Sequence, residues 1–164
     1  FADDPAALTL DRQYMLGDNL LCAPILNSEG RAEFYVPAGR WTDIITGKVY
    51  EGEKWYRETC NYFEMPILAR PNSIVTYGDF VRDFEYDYLE NAEAVIYELS
   101  DGCEASTVIY DKEAEKLCDI KATRDGNKIT VSYTKTDKTF KVKVSGTDIC
   151  AVANAGTTEL VIEL

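Results

Sequence analysis

Period-two alternation is cleanest late in the chain. Lys128-Ile129-Thr130-Val131-Ser132-Tyr133 and Thr139-Phe140-Lys141-Val142-Lys143-Val144 set apolar and polar residues on opposite faces, as in strands with one face in a core and one in water. Between the first of these and the run before it, Arg124-Asp125-Gly126-Asn127 is a hairpin signal through its Asp-Gly pair. Earlier, residues 20–26 are apolar at nearly every position, which predicts a strand buried on both faces, closed by Asn27-Ser28-Glu29-Gly30. Short strand-like runs follow at 32–36, 40–45, 49–50, 55–57, 61–69 and 73–77. The turn residues Pro37-Ala38-Gly39, Thr46-Gly47-Lys48 and Glu51-Gly52 separate the first four of them. Pro66 and Pro71 belong at strand edges or ends, because neither can donate to a ladder.

The first residues instead predict a helix. Asp4 suits an N-cap, Pro5 suits the first helical position, and Leu8, Leu10, Tyr14 and Met15 give a loose apolar face that Gly17 would end. Nothing later supports another long helix. Many short strands at roughly 8–12-residue spacing argue for β-sandwiches. After Gly78 the composition shifts: residues 79–91 alternate acids with aromatics, and the remainder is richer in Lys, Thr and Asp. A domain boundary is expected between Asp79 and Asp83. The chain shows no internal repeat and no low-complexity segment.

Composition narrows the function classes. Seventeen basic against 29 acidic residues leave a net charge of −12, which repels phosphate backbones and argues against a nucleic-acid partner. No apolar run approaches the ~20 residues of a membrane span, and Phe-Ala-Asp-Asp-Pro at the start is not an export signal. Cys22, Cys60, Cys103, Cys118 and Cys150 are odd in number, scattered and without a C-x-x-C pair. They read as free thiols in a reducing, cytoplasmic compartment rather than as a disulfide framework. The sequence holds no histidine, which disfavours zinc and removes Ser-His and Cys-His nucleophilic catalysis.

Candidate chemistry is sparse. Asp79, Asp83, Glu85, Asp87 and Glu90 fall in one polar stretch, and Asp111, Glu113 and Glu115 in a charged turn with Lys112 and Lys116. Either group reads as a solvated face, since nothing suggests the desolvation that tunes a glycosidase carboxyl pair. A weak calcium site at the first group lacks a D-x-D-x-D-G loop. Trp41, Trp55, Tyr56, Tyr62 and Phe63 are candidates for stacking on sugar rings, although half-buried strands favour aromatics regardless of ligand. Trp41, after Gly39-Arg40, reads as a core anchor. No catalytic, cofactor-binding or metal-binding residue is assigned.

Four separated blocks nevertheless resemble, in the right order, glycoside hydrolase family 31. Phe1-Ala2-Asp3-Asp4-Pro5-Ala6 is similar to the end of that family's eighth barrel strand. Residues 13–25 resemble its Q-Y-M-L-G-D-x-x-x-x-A-P segment. Tyr35-Val36-Pro37-Ala38-Gly39-Arg40-Trp41-Thr42 is similar to its Y-L-P-x-G-x-W motif, and Pro66-Ile67-Leu68-Ala69-Arg70-Pro71-Asn72-Ser73-Ile74 to its P-L-L-V-R-x-N-T strand. Cys22 stands where the family usually has an aliphatic residue. Asp3 to Ala6 beside residues 11–18, with residues 97–102 and 124–131, look most like the bacterial α-xylosidase branch.

The resemblance implies an all-β chain of two consecutive antiparallel β-sandwiches after a short helical remnant of a (β/α)8 barrel. Residues 1–17 would end the catalytic barrel, 18–80 form the proximal sandwich and 81–164 the distal one, with Phe1 an internal position of a longer chain. Both catalytic aspartates of the family lie on barrel strands before that point, so the implied role is a non-catalytic support of a retaining α-glycosidase that removes terminal α-xylose or α-glucose. The missing barrel is then the expected partner, a homo-oligomer is a further possibility, and no cofactor is implied. Two other readings stay open: an autonomous carbohydrate-binding module with Trp41 or Trp55 as platform, and a structural or adhesive β-domain.

Overall fold

The computed structural model describes residue 1, residues 3–79 and residues 87–164. It is almost entirely β, and it divides into two compact units, Phe1–Pro71 and Asn72–Leu164.

In the first unit, β1 (Tyr14–Leu16), β2 (Leu20–Cys22), β4 (Arg40–Asp43), β5 (Val49–Glu51) and β7 (Ile67–Ala69) make an antiparallel sheet in the order β1-β2-β7-β4-β5. β3 (Arg31–Val36) and β6 (Lys54–Thr59) form a two-stranded antiparallel ribbon. The core between them holds Leu21, Ala32, Phe34, Val36, Trp41, Tyr50 and Leu68. Phe34 meets the edge of Tyr50 at 5.5 Å and stacks on Tyr56 at 6.0 Å, geometries that aromatic quadrupoles favour. At the turn before β6, a Cβ on Gly52 would lie 2.2 Å from the Pro37 carbonyl oxygen, so only glycine fits.

The expected N-terminal helix is corrected to a single 3₁₀ turn, Pro5–Thr9. Its cap is the one foreseen: the Asp4 carboxylate accepts the Ala6 N–H at 3.0 Å. Beyond it, Tyr14 and Met15 belong to a hairpin, with Tyr14 opposite Cys22 and Leu16 opposite Leu20. Gly17, at φ +62°, supplies the left-handed residue of the connecting turn rather than a helix stop. The apolar run at 20–26 is likewise shorter as a strand than expected. It pairs only through Cys22, and the chain then passes Pro24, which has no N–H for a ladder, to an exposed Leu26. Of residues 61–69 only Ile67–Ala69 pair, because the Asn61 side chain accepts the Phe63 N–H at 2.9 Å and closes a turn.

In the second unit, β8 (Ser73–Tyr77), β9 (Glu93–Tyr97), β13 (Phe140–Val144) and β14 (Cys150–Ala153) lie in the order β14-β13-β9-β8. The facing sheet is β10 (Glu104–Tyr110), β11 (Lys116–Asp125), β12 (Lys128–Tyr133) and β15 (Glu159–Glu163), in the order β10-β11-β12-β15. All pairs are antiparallel except β9 with β13, which run parallel. The alternation read in the sequence sets the facing: Ile129 and Val131 are buried while Lys128 and Ser132 are not, and Val142 is buried beside an exposed Lys141. Ile120, Ile74, Ile96 and Phe140 complete this core. β11 and β12 meet across Gly126-Asn127, where the hairpin was expected.

β8 departs from the expected division. Read from sequence as the last strand of the first sandwich, it pairs residue by residue with β9, and the Tyr77 and Tyr97 hydroxyls meet at 2.8 Å. The compact units therefore part after Pro71, ahead of the compositional shift near residue 80.

Candidate functional site

Two of the acids singled out in the sequence, Asp87 and Asp111, serve as turn caps. Asp87 accepts the Leu89 N–H at 2.9 Å and the Glu90 N–H at 3.0 Å, and pairs with Lys138 at 3.1 Å. The Glu90 and Leu89 amides hold its carboxyl below the usual carboxylate range. Asp111 accepts the Glu113 and Glu115 N–H groups at 3.0 and 2.8 Å, closing the β10–β11 connection. Asp83 and Glu85 lie outside the described residues. Glu93 is also shifted downward, first by its hydrogen bond from Lys143 at 2.6 Å. A general acid needs a raised carboxyl, so Asp87 and Glu93 are shifted in the wrong direction for that work.

The aromatic candidates separate sharply. Trp41 is fully buried, and its indole N–H donates to the Pro37 carbonyl at 3.0 Å, the core anchor expected of it. Tyr56 is held by its hydroxyl, which donates to the Glu51 carbonyl at 2.9 Å. Tyr62 and Phe63 stand almost wholly in solvent, ring against ring at 5.4 Å. Trp55 is 61% exposed on the outer face of the ribbon, with one side held against Tyr35 at 5.7 Å.

Around Trp55 the structure gathers residues that the sequence reading did not select. In the β3–β6 register Glu33 faces Arg57 and Tyr35 faces Trp55. The Arg57 Nε donates to Glu33 Oε1 at 2.5 Å. Gly30 and Val36 turn their carbonyls toward the β6 side, so the intervening odd residues turn theirs to the ribbon's free edge. Two side-chain amides bind that edge. Gln13 accepts the Tyr35 N–H at 2.7 Å and donates to its carbonyl at 2.8 Å; Asn27 accepts the Arg31 N–H at 2.9 Å and donates to its carbonyl at 2.5 Å. Glu33 lies between them. Two hollows open there, one of about 310 Å³ beside Trp55, Asp11 and Gln13, the other of about 470 Å³ beside Asn27, Arg31 and Arg57. Arg12 and Glu33 line both. The alternation Arg31-Ala32-Glu33-Phe34 did carry one signal, an outward Glu33, but its neighbours come from distant positions.

All five cysteines are unpaired; Cys22 and Cys118 are buried, and burial pushes both thiols up. Among the described residues no cluster of three or more Cys, Asp or Glu is arranged to hold a metal ion. No described helix is long and apolar enough to cross a membrane.

Comparison with known proteins gives this arrangement its context. Residues 1–75 match the glycosyl hydrolase family 31 C-terminal domain, and residues 87–164 match the C-terminal domain of α-xylosidase YicI. The α-xylosidase XylQ of Lactiplantibacillus pentosus is 35% identical over 135 residues, which are 80% of this chain and 18% of that protein. An α-xylosidase of Emericella nidulans is 39% identical over 106 residues, 58% of this chain and 13% of that one. The chain thus spans less than a fifth of either relative. The crystal structure of a family 31 α-xylosidase from Xanthomonas citri superposes with a TM-score of 0.77 at 18% identity, covering 100% of this chain and 21% of that one, a likeness of fold. With both units matched in order, the chain belongs to glycoside hydrolase family 31 and corresponds to the C-terminal domains that these matches describe.

Proposed function

We propose that this chain is the non-catalytic C-terminal region of a retaining α-glycosidase, of the α-xylosidase type, and that it supports a (β/α)8 barrel supplied by the rest of the enzyme. Residues 1–17 would end that barrel, and the two sandwiches would follow it. The observation that carries the reading is the apolar surface of the first unit. Leu8, Tyr62 and Phe63 are 78%, 95% and 87% exposed, and Tyr14 and Leu16 are more than half exposed. In the reading proposed, the barrel of the whole enzyme covers these large apolar side chains. The α-xylosidase relatives support the substrate class, terminal α-linked xylose or the related glucose. Five unpaired thiols support a cytoplasmic setting.

The test is turnover of a chromogenic α-xyloside by the pure 164-residue chain. No hydrolysis above a blank is expected, because a retaining mechanism needs a nucleophile and an acid/base on either side of the bond. Hydrolysis that survives further purification overturns the proposal. A family 31 barrel added in trans should bind the chain, and Phe63→Ser should weaken that binding without unfolding the chain.

A further inference from the structure

We propose that the groove along the free edge of the β3–β6 ribbon binds a pyranose ring of a neutral oligosaccharide, with Trp55 as platform and Glu33, Arg57, Asp11 and Arg12 as hydroxyl partners. This goes beyond the supporting role, and either can fail without the other. The shape comes first. Hollows of about 310 and 470 Å³ that share Arg12 and Glu33 fall in the lower part of the range ligand sites occupy, about 300–1,000 Å³.

The chemistry of the walls then selects the ligand. A pyranose has an apolar C–H face and a rim of hydroxyls, so it needs a flat aromatic surface beside groups that both donate and accept. Trp55 offers that surface: its indole leans on the Tyr35 ring at 5.7 Å, tilted by 54°, and 61% of the residue remains open. The Glu33–Arg57 pair sits two register positions along the ribbon, on the same face, with carboxylate and guanidinium in contact. Each holds the other's orientation while keeping lone pairs and N–H groups for a vicinal diol. Between the two amide clamps at Arg31 and Tyr35, the main chain of Glu33 presents an N–H and a C=O to the same edge, the donor and acceptor pair that a carboxamide takes up on either side of it.

Charge decides between a sugar and an anion. Three arginines (Arg12, Arg31, Arg57) line the hollows with two carboxylates (Asp11, Glu33), and the chain as a whole carries −12. Such a groove gives an anion little net attraction and suits an uncharged polyol. Tyr62 and Phe63 are more exposed than Trp55, yet neither lines these hollows, so they serve as the internal control.

The experiment titrates the 164-residue chain with maltotriose and with methyl α-D-xylopyranoside up to about 50 mM, following amide shifts and tryptophan emission. Saturable binding of at least one sugar in the millimolar range is expected. Trp55→Ala should weaken it at least about tenfold, Trp55→Phe should restore most of it, and Glu33→Gln should weaken it about threefold or more. A Tyr62→Ala, Phe63→Ala double variant should bind like the parent. Trp55 faces solvent, so its variants should keep the amide spectrum of the fold, and the Trp55→Phe chain carries the test if the alanine chain does not. No saturable binding of either sugar, undiminished binding by Trp55→Ala, or loss in the Tyr62, Phe63 double variant instead would each overturn the assignment.

Discussion

Replacing Gln13 by alanine tests the most local of these structural claims. Its side-chain amide substitutes for a neighbouring strand, accepting from and donating to Tyr35 at 2.7 and 2.8 Å across 22 residues of sequence. Alanine removes both bonds and leaves the N–H and C=O of Tyr35, itself only 7% exposed, to find water. A hydrogen bond contributes about 1 kcal/mol net, and a stranded buried group costs about 1–3 kcal/mol. Gln13 is half-buried, so water can recover part of the loss, and about 1–2 kcal/mol is expected. With a urea slope near 1 kcal/mol/M for so small a unit, the midpoint should fall by about 1–2 M. Tryptophan emission isolates the effect, because Trp41 and Trp55 both lie in the first unit and the second has none. Gln13→Glu should be no better than alanine, since it loses the donor and sets a carboxylate against the Tyr35 carbonyl. A Gln13→Ala midpoint within about 0.3 M of the parent would refute the clamp as a source of stability.

Gly52→Ala should lower the stability of the first unit by more than about 2 kcal/mol, because backbone atoms occupy the Cβ position; Gly17→Ala, in open space at φ +62°, should cost only about 1 kcal/mol in the same urea assay. Glu93 titrates below its ordinary range, so the stability it contributes is present above the unfolded value, near about 4, and is lost as pH falls through the lower folded value. Lys143→Met removes the main cause and should raise the Glu93 value in a carboxyl NMR titration; an unmoved value would contradict the assigned cause. Native thiol labelling should modify exposed Cys150 first and leave Cys22 and Cys118 protected until unfolding, with all five reactive in denaturant; fewer than five would reveal a disulfide.

What the sequence made legible was whatever one strand decides by itself. β12 and β13 have cores on one side only, so the period-two pattern carries from residue types to burial along β12 and from Phe140 to Val142 in β13. Trp41 was readable as an anchor because a turn and a strand frame it locally. The failures were of pairing rather than of propensity. Leu8, Leu10, Tyr14 and Met15 fit a helical stripe as loosely as they fit a turn and a hairpin, and only contact with Leu20 to Cys22 selects the hairpin. β8 looked like its upstream neighbours, but its partner β9 lies beyond the compositional shift. The Trp55 groove was invisible for the same reason: Asp11, Arg12, Gln13, Asn27, Glu33 and Arg57 meet only after the ribbon has formed.

The parallel pairing of β9 with β13 also has a consequence in time. Every other strand of the second unit except β15 can pair with the strand just before or after it as the chain lengthens. β9 can take up β8 behind it, but its other edge waits for β13, about 40 residues later, while β10 to β12 build the opposite sheet. At about 5–20 residues per second of synthesis, that edge stays open for some 2–8 seconds. The alternative partner present throughout that interval is another nascent copy in the same state, offering the same unpaired edge. Yield of soluble chain should therefore depend on how crowded its messages are, and the failures should be tangles joined through β9 rather than through any surface visible in the finished molecule.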